Sequence, residues 1–222
     1  MRVSLIGPGD MKFHFNELLK ISQEDMNKHI YELSEALAKS KCELVILPDK
    51  GIAFDVAKKY KELGGKGVIG TAPLSDGELG ASHLRPFMEA RIEGRKLIDE
   101  IIDTRSWYKQ DATQALFGDC VLLLGKSLGS MGELNLGFYI YKLFSKKTES
   151  SKKIDEILSH AWAGKKIPFT LIVYLPFVKE KLDYETENYI KKSGGRIAYA
   201  KNIEEFQNIL GVLAKEYCSK KR

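Results

Sequence analysis

The 222-residue chain is poor in cysteine: Cys42, Cys120 and Cys218 stand far apart, and none falls in a Cys-x-x-Cys pair. That usage argues against a disulfide framework or a cysteine-held metal and predicts a protein of a reducing compartment, the cytoplasm. Cys120 sits inside an apolar run, where a thiol behaves as a small hydrophobe. The four histidines, His14, His29, His83 and His160, fit no metal-ligand spacing and read as surface or internally satisfied side chains. No structural metal and no cofactor are expected. No apolar run reaches the roughly 18 residues of a membrane span. The opening residues, Met1 to Asp10, are too briefly apolar and meet glycine too early for a secretory leader, so they read as a first buried strand. Two catalytic signatures are missing as well, the Walker loop and the dinucleotide fingerprint, and Ser127 or Ser130 would need a histidine partner to act as a nucleophile.

Charge of one sign is in mild excess, +5 overall, and unevenly spread. Lys142, Lys146, Lys147, Lys152, Lys153, Lys165 and Lys166 crowd one region, and the chain ends Lys220-Lys221-Arg222. Such an excess favours anionic partners, nucleotides or nucleic acid, although solvated lysines on helix faces and a frayed tail are the simpler account, and charge alone decides nothing.

What is present is an alternation of short apolar runs with helical periodicity. Arg2–Ile6, Glu43–Leu47, Gly67–Gly70, Leu97–Asp103, Cys120–Leu124, Pro168–Leu175 and Arg196–Ala200 read as strands. Gln23–Lys39, with Met26, Ile30, Leu33 and Leu37 on one face and a Ser22–Asp25 cap, reads as a helix. So do Gly51–Leu63, stopping at Gly64-Gly65, Leu84–Lys96, Glu133–Phe144, Tyr184–Lys192 and Asn202–Tyr217, the last capped by Asn202. Thr71–Ser82 reads as a polar loop. Ser145–Lys166 reads as a lysine- and serine-rich excursion with a helical piece near Ile154–Ala163. Strands that alternate with helices, and are apolar throughout rather than every second residue, belong to a parallel sheet covered on both faces. The expectation is one α/β domain over residues 1–222: a Rossmann-like three-layer parallel sheet with helices on both faces.

The richest segment is CVLLLGKSLGSMGELNLGF, Cys120 to Phe138. A buried strand runs to Leu124, a loop of small residues follows, and a helix begins near Ser130, with Glu133 in its first turn. Ligands of open α/β sheets bind beyond the carboxyl ends of the strands, and the unpaired amides of a following helix hold anions. Gly125, Gly129 and Gly132 permit close backbone approach. Ser127 and Ser130 add hydroxyls, Lys126 adds a point charge, and the Met131 amide belongs to the same loop. These features make Gly125, Lys126, Ser127, Gly129, Ser130 and Met131 candidate phosphate contacts. Gly7-Pro8-Gly9-Asp10 after the first strand and Asp49-Lys50-Gly51 after the second should share that sheet edge, which adds Gly7, Gly9 and Gly51. Thr71 is a weaker candidate. Glycines that serve only a tight turn remain the simpler alternative.

The segment from Gly125 to Glu133 resembles the PGGxGTxxE loop of the Rossmann-type nucleotide-binding superfamily that contains the LOG proteins, formerly described as possible lysine decarboxylases. Gly129, Ser130 (for threonine) and Glu133 match, whereas Gly125, Lys126 and Ser127 stand where that family has Pro-Gly-Gly. Gly51-Ile52-Ala53-Phe54, the glycine stop at Gly64-Gly65, Val68-Ile69-Gly70, and Asp119 before the apolar strand are similar too. The likeness covers most of residues 1–144. DNA-processing protein A belongs to the same broad superfamily. The resemblance implies a nucleoside-phosphate ligand, and for LOG-type enzymes release of a base from a nucleoside monophosphate, with Glu133 as the catalytic carboxylate. It also implies an arginine on the helix before the central strand. Counting back from Asp119, that position is Gln110, with Arg105 nearby.

Three functions therefore stand at this point. The first is binding of a nucleotide or nucleoside phosphate without efficient chemistry, and the second is phosphoribohydrolase activity through Glu133. The third is single-stranded DNA binding, which the resemblance leaves open and does not favour. Phe138, Tyr141 and Leu143 near the loop suggest a homodimer, as LOG-like proteins commonly form. Tyr139, Tyr141 and Phe138 at helical spacing also read as core positions.

Overall fold

The computed structural model describes residues 1–145 and 168–219. The excursion after residue 145, with its helical piece and all its lysines, lies outside the described residues, as do His160 and the basic tail. Seven strands form one parallel sheet: β1 (Arg2–Ile6), β2 (Glu43–Ile46), β3 (Gly67–Ala72), β6 (Glu100–Asp103), β7 (Cys120–Leu123), β8 (Thr170–Tyr174) and β9 (Arg196–Ala200). Their order is β6-β3-β2-β1-β7-β8-β9, and every neighbouring pair is parallel.

Period-two alternation sorts the sheet's side chains into two cores. Val3, Leu5, Leu44, Ile46, Leu122 and Tyr174 face one layer, where they meet α1 (Gln23–Lys39), α2 (Ile52–Glu62) and the last helix, α8 (Ile203–Ser219). Ile6, Val45, Val121, Leu123, Leu171 and Val173 face the other, against α4 (Trp107–Phe117), α5 (Leu128–Ser145) and α7 (Tyr184–Lys192). With both faces covered, β7 and β8 are buried at every residue, as their unbroken apolar runs require. Right-handed crossovers explain the split: helices that carry the chain towards β6 lie on one face, and those that carry it towards β9 lie on the other. The sense reverses between β1 and β7, whose register pairs Ile6 with Leu123. The fold is Rossmann-like α/β, with helices on both faces.

Both expected caps are present. Asp25 N donates to Ser22 Oγ at 3.0 Å, and Glu205 N donates to Asn202 Oδ1 at 2.9 Å. Several boundaries differ from the sequence reading. Leu84–Lys96 is not one helix: a 3-10 turn (Ser82–Leu84) and a single helical turn, α3 (Arg85–Met88), lead into a hairpin of β4 (Arg91–Ile92) and β5 (Arg95–Lys96). Pro86 is suited only to a first helical turn. Glu93 and Gly94, with φ of 49° and 80°, make the tight turn that twisted hairpins prefer. Of Leu97–Asp103 only Glu100–Asp103 pairs as strand. β3 runs on through Thr71 to Ala72, and α5 starts at Leu128, which puts Glu133 in its second turn. Two short elements carried no periodicity to reveal them, a π-helical stretch at Lys12–Leu18 and α6 (Leu175–Val178). Among the described residues no helix is long and apolar enough to cross a membrane.

Candidate functional site

The reversal between β1 and β7 brings two strand-to-helix loops side by side at the carboxyl edge of the sheet, the place where open α/β sheets hold ligands. A cleft of about 150 Å³ opens there. Gly7 and Gly9 line it from the β1 loop, Asp49 and Lys50 from the β2 loop, and Ser127, Gly129, Ser130 and Glu133 from the β7 loop and α5. Thus six of the ten residues singled out from sequence, Gly7, Gly9, Ser127, Gly129, Ser130 and Glu133, meet around one space.

The other four stand beside it. Gly51 has φ +125°, and a Cβ there would fall 2.4 Å from Pro8 O and 2.7 Å from Gly9 Cα, so it seats the β1 loop against α2. The Ile52 amide donates to Pro8 O at 3.1 Å and ties the same junction. At Gly125 a Cβ would lie 2.5 Å from Pro8 Cδ and 3.0 Å from His14 Nε2, so its close approach is to the protein rather than to open space. Lys126 is drawn to Glu180, 2.5 Å from Nζ to Oε1. Met131 packs against the core shared with α4.

Ser127 caps α5. Its Oγ accepts from the Ser130 amide at 3.2 Å and meets Ser130 Oγ at 2.7 Å, while its carbonyl accepts from Met131 N. The amides of Leu128 and Gly129 precede the first intrahelical acceptors, so they remain available to an anion. Ser130 is buried, whereas Gly129 and Gly132 are exposed and have open space where a side chain would begin.

Glu133 is partly buried on the cleft wall, and among the described residues no hydrogen bond or ion pair reaches its carboxyl. Burial first, and the field of Asp111 second, hold that carboxyl well above the ordinary carboxylate range. Asp111, on α4, is itself raised by burial. Both carboxyls therefore hold their protons more tightly than ordinary carboxyls do.

Gln110, the position where the resemblance implies an arginine, is fully buried. Its Nε2 donates to Thr71 Oγ1 at 2.9 Å and its Oε1 accepts from Thr104 Oγ1 at 3.0 Å. Thr71 in turn donates to Gln114 Oε1, whose Nε2 donates to the carbonyls of Leu5 and Val45. Gln110 and Thr71 are therefore consumed in a polar stitch between α4 and four strand ends and do not face a ligand. Arg105 is exposed, with φ 69°.

From sequence His14 is expected to be a surface or satisfied residue, and the structure corrects this. It is buried, and its Nε2 is the single buried side-chain polar atom without a partner among the described residues. Nothing in its sequence neighbourhood signals this, because the wide π-helical turn that carries it has no apolar period of its own. His29 bonds Tyr174 Oη at 2.8 Å, and His83 stacks on Trp107. Phe138 and Tyr141, proposed for a dimer face, pack on Phe169 inside the core and leave Tyr139 and Leu143 exposed.

Two larger clefts lie elsewhere. One, about 340 Å³, runs between α5 and α7 beside Tyr139 and Tyr189; the other, about 450 Å³, lies under the β4–β5 hairpin at the amino edge of the sheet. Neither is lined by the carboxyl end of a strand of the parallel sheet, so the smaller cleft remains the candidate. Among the described residues no three His, Cys, Asp or Glu side chains are grouped to hold a metal ion.

No family model matches the chain, and no curated protein matches it by sequence. Solved structures do. A molybdenum cofactor binding protein from the phototrophic bacterium Rippkaea orientalis aligns with a TM-score of 0.53 at 16% identity, over 96% of both chains. The molybdenum cofactor carrier protein of Chlamydomonas reinhardtii aligns at 0.54 and 18%, over 96% of this chain and 98% of its own. The structural genomics target TM1055 aligns at 0.56 and 15%, over 95% and 98%. At these identities the likeness is one of fold, and it extends over almost the whole of each chain.

Proposed function

We propose that this chain binds a phosphate-bearing heterocyclic small molecule, a nucleotide or a relative of one, in the cleft between the β1 and β7 loops, and holds it without efficient chemistry. The observation that carries the reading is the convergence of Gly7, Gly9, Ser127 and Gly129 around a cleft at the start of α5, whose leading amides suit an oxyanion. The enclosed volume is below the roughly 300 Å³ at which sites for whole small molecules begin. It fits the phosphoryl end, and the rest of the ligand extends past the exposed Gly129 and Leu128. Structural neighbours described as molybdenum cofactor carriers favour a carrier role, and that cofactor is tested beside the nucleotides.

A second reading, base release from a nucleoside monophosphate, rests on one observation, the Glu133 carboxyl in the cleft, unpaired among the described residues. Against it stands Gln110, neutral and committed to Thr71 and Thr104. One experiment separates the two: thermal denaturation against nucleoside mono-, di- and triphosphates and molybdenum cofactor, with products followed by chromatography. A ligand at 100 times its Kd adds about 2.7 kcal/mol, and for a chain of this size each kcal/mol raises Tm by roughly 2–4 °C. A selective rise of roughly 5–11 °C without product supports the carrier. A rise with free base and ribose phosphate supports the hydrolase, and no rise with any member of the panel refutes both.

A further inference from the structure

We propose that His14 is a ligand-binding residue of this same cleft, its Nε2–H donating to the ligand's oxyanion when the Gly125 loop shifts to receive it. The inference rests on the binding reading above and adds to it a residue that neither the sequence motif nor the resemblance marks.

Three observations meet at this imidazole. First, a buried nitrogen with no partner is a costly state that folded proteins rarely keep, and His14 Nε2 is the instance found among the described residues. Second, its position is specific. The π-helical turn at Lys12–Leu18 begins two residues after the Gly9-Asp10 turn, and its wide rings place His14 and Phe15 inward, both buried. From there Nε2 faces the backbone of Gly125, 3.0 Å from the point where a Cβ would stand, beside Pro8. It therefore lies directly behind the junction of the two loops that form the cleft. Third, the β7 loop lacks a free cation for an anion, because Lys126 is held by Glu180, and Ser127 is spent on capping α5.

A loop of glycines beside an unsatisfied ring nitrogen is poised to exchange one arrangement for another. With Gly125 packed against the ring, the nitrogen bonds nothing. A small outward shift of Gly125 lets an oxyanion seated on the α5 amides reach it. The shift restores a hydrogen bond that the empty site lacks, so binding gains from the burial rather than being opposed by it. Removing His14 should therefore weaken binding without weakening the fold, the opposite of what a purely structural histidine does.

The test uses the full chain with adenosine monophosphate and inorganic phosphate as probes. Imidazole nitrogen resonances are followed during titration, with His14 assigned by comparison with His14→Leu. Saturation that moves the His14 Nε2 resonance and leaves His29, His83 and His160 in place supports the proposal. Binding to His14→Leu weakened roughly tenfold or more supports it further, as does partial recovery in His14→Gln, which keeps an N–H donor. The melting temperature of unliganded His14→Leu should equal or exceed that of the parent. Saturation of the parent without movement of Nε2 overturns the proposal, and so does His14→Leu binding as tightly as the parent. If the leucine variant does not fold, His14→Gln supplies the assignment and the parent's resonances decide. A parent that binds neither these probes nor any member of the nucleotide and molybdenum cofactor panel overturns the site reading itself, and is told apart because no variant is needed to see it.

Discussion

Replacing glycines of the β7 loop one at a time with alanine should split stability from binding. At Gly129 a Cβ meets nothing within 4 Å, and the residue lies in the first turn of α5 without a positive φ. Alanine there restricts the unfolded chain and favours the helix, so Gly129→Ala should stabilise the protein by about 0.4–1 kcal/mol, or roughly 1–4 °C in Tm. Gly132 is equally open, so Gly132→Ala should stabilise by the same order. Gly125 is the opposite case. Its Cβ would stand 2.5 and 2.7 Å from Pro8 Cδ and Cγ, and proline cannot swing away. Overpacking of this kind costs roughly 1–3 kcal/mol, or about 2–12 °C.

Binding should divide the same residues differently. Gly129 lines the cleft and Gly132 does not. A methyl group at Gly129 crowds an oxyanion approaching the α5 amides, and an affinity loss of about tenfold, near 1.4 kcal/mol, is the expected scale. The assay is thermal denaturation of the three variants, followed by calorimetric titration with whichever phosphate ligand saturates the parent. Gly129→Ala should be more stable and bind more weakly, and Gly132→Ala should be more stable and bind as the parent does. Gly129→Ala binding with undiminished affinity would remove the α5 amides from the ligand site. Gly125→Ala melting with the parent would show that the two loops do not pack as described.

The remaining predictions concern the carboxyl and the glutamine. Glu133 binds its proton more tightly folded than unfolded, so its contribution to stability is fully present below the ordinary glutamate value of 4.5 and is lost as pH rises through its folded value. Glu133→Gln should therefore gain stability over the parent as pH climbs above 4.5 and gain nothing below it; parallel stability curves across that range would contradict the burial argument. Gln110→Leu leaves Thr104 Oγ1 without its acceptor and should cost about 1–3 kcal/mol, read as a lower denaturation midpoint. Gln110→Arg places an unpaired charge in a fully buried position and should destabilise by several kcal/mol. A stable Gln110→Arg that released base from a nucleoside monophosphate would instead revive the hydrolase.

The sheet was legible because its signal is strong and local. Strands such as Cys120–Leu123 and Thr170–Tyr174 are apolar at nearly every position, and only burial on both faces calls for that. The cleft was legible for a related reason, since glycine-rich turns after strands mark the carboxyl edge wherever the sheet is parallel. Short elements were not. The Arg91–Lys96 region reads as helix until Glu93-Gly94 is seen as a turn, and the π-helical stretch around His14 has no period to detect. Side-chain commitments were least legible. Nothing in the sequence says that Lys126 turns to Glu180, or that Gln110 is spent on two threonines, because each partner lies in a different element of the chain.

Those commitments bear directly on whether the site performs chemistry. Loss of a base from a nucleoside phosphate builds positive charge on the sugar, and a carboxylate helps only while it is ionised. Here burial and Asp111 both favour the protonated form of Glu133, and Gln110 supplies no cation to draw the proton away. A protonated Glu133 is a hydrogen-bond donor, suited to holding an acceptor on the ligand and poorly suited to stabilising an oxocarbenium. The same burial makes the two readings separable by pH alone. A carrier should bind best below the folded pKa of Glu133, where the carboxyl donates. Base release, if it occurs, should rise above it, where the carboxylate forms. Affinity that is flat across that pKa, with no product on either side, would remove Glu133 from the function and leave the loop glycines and α5 amides to account for binding alone.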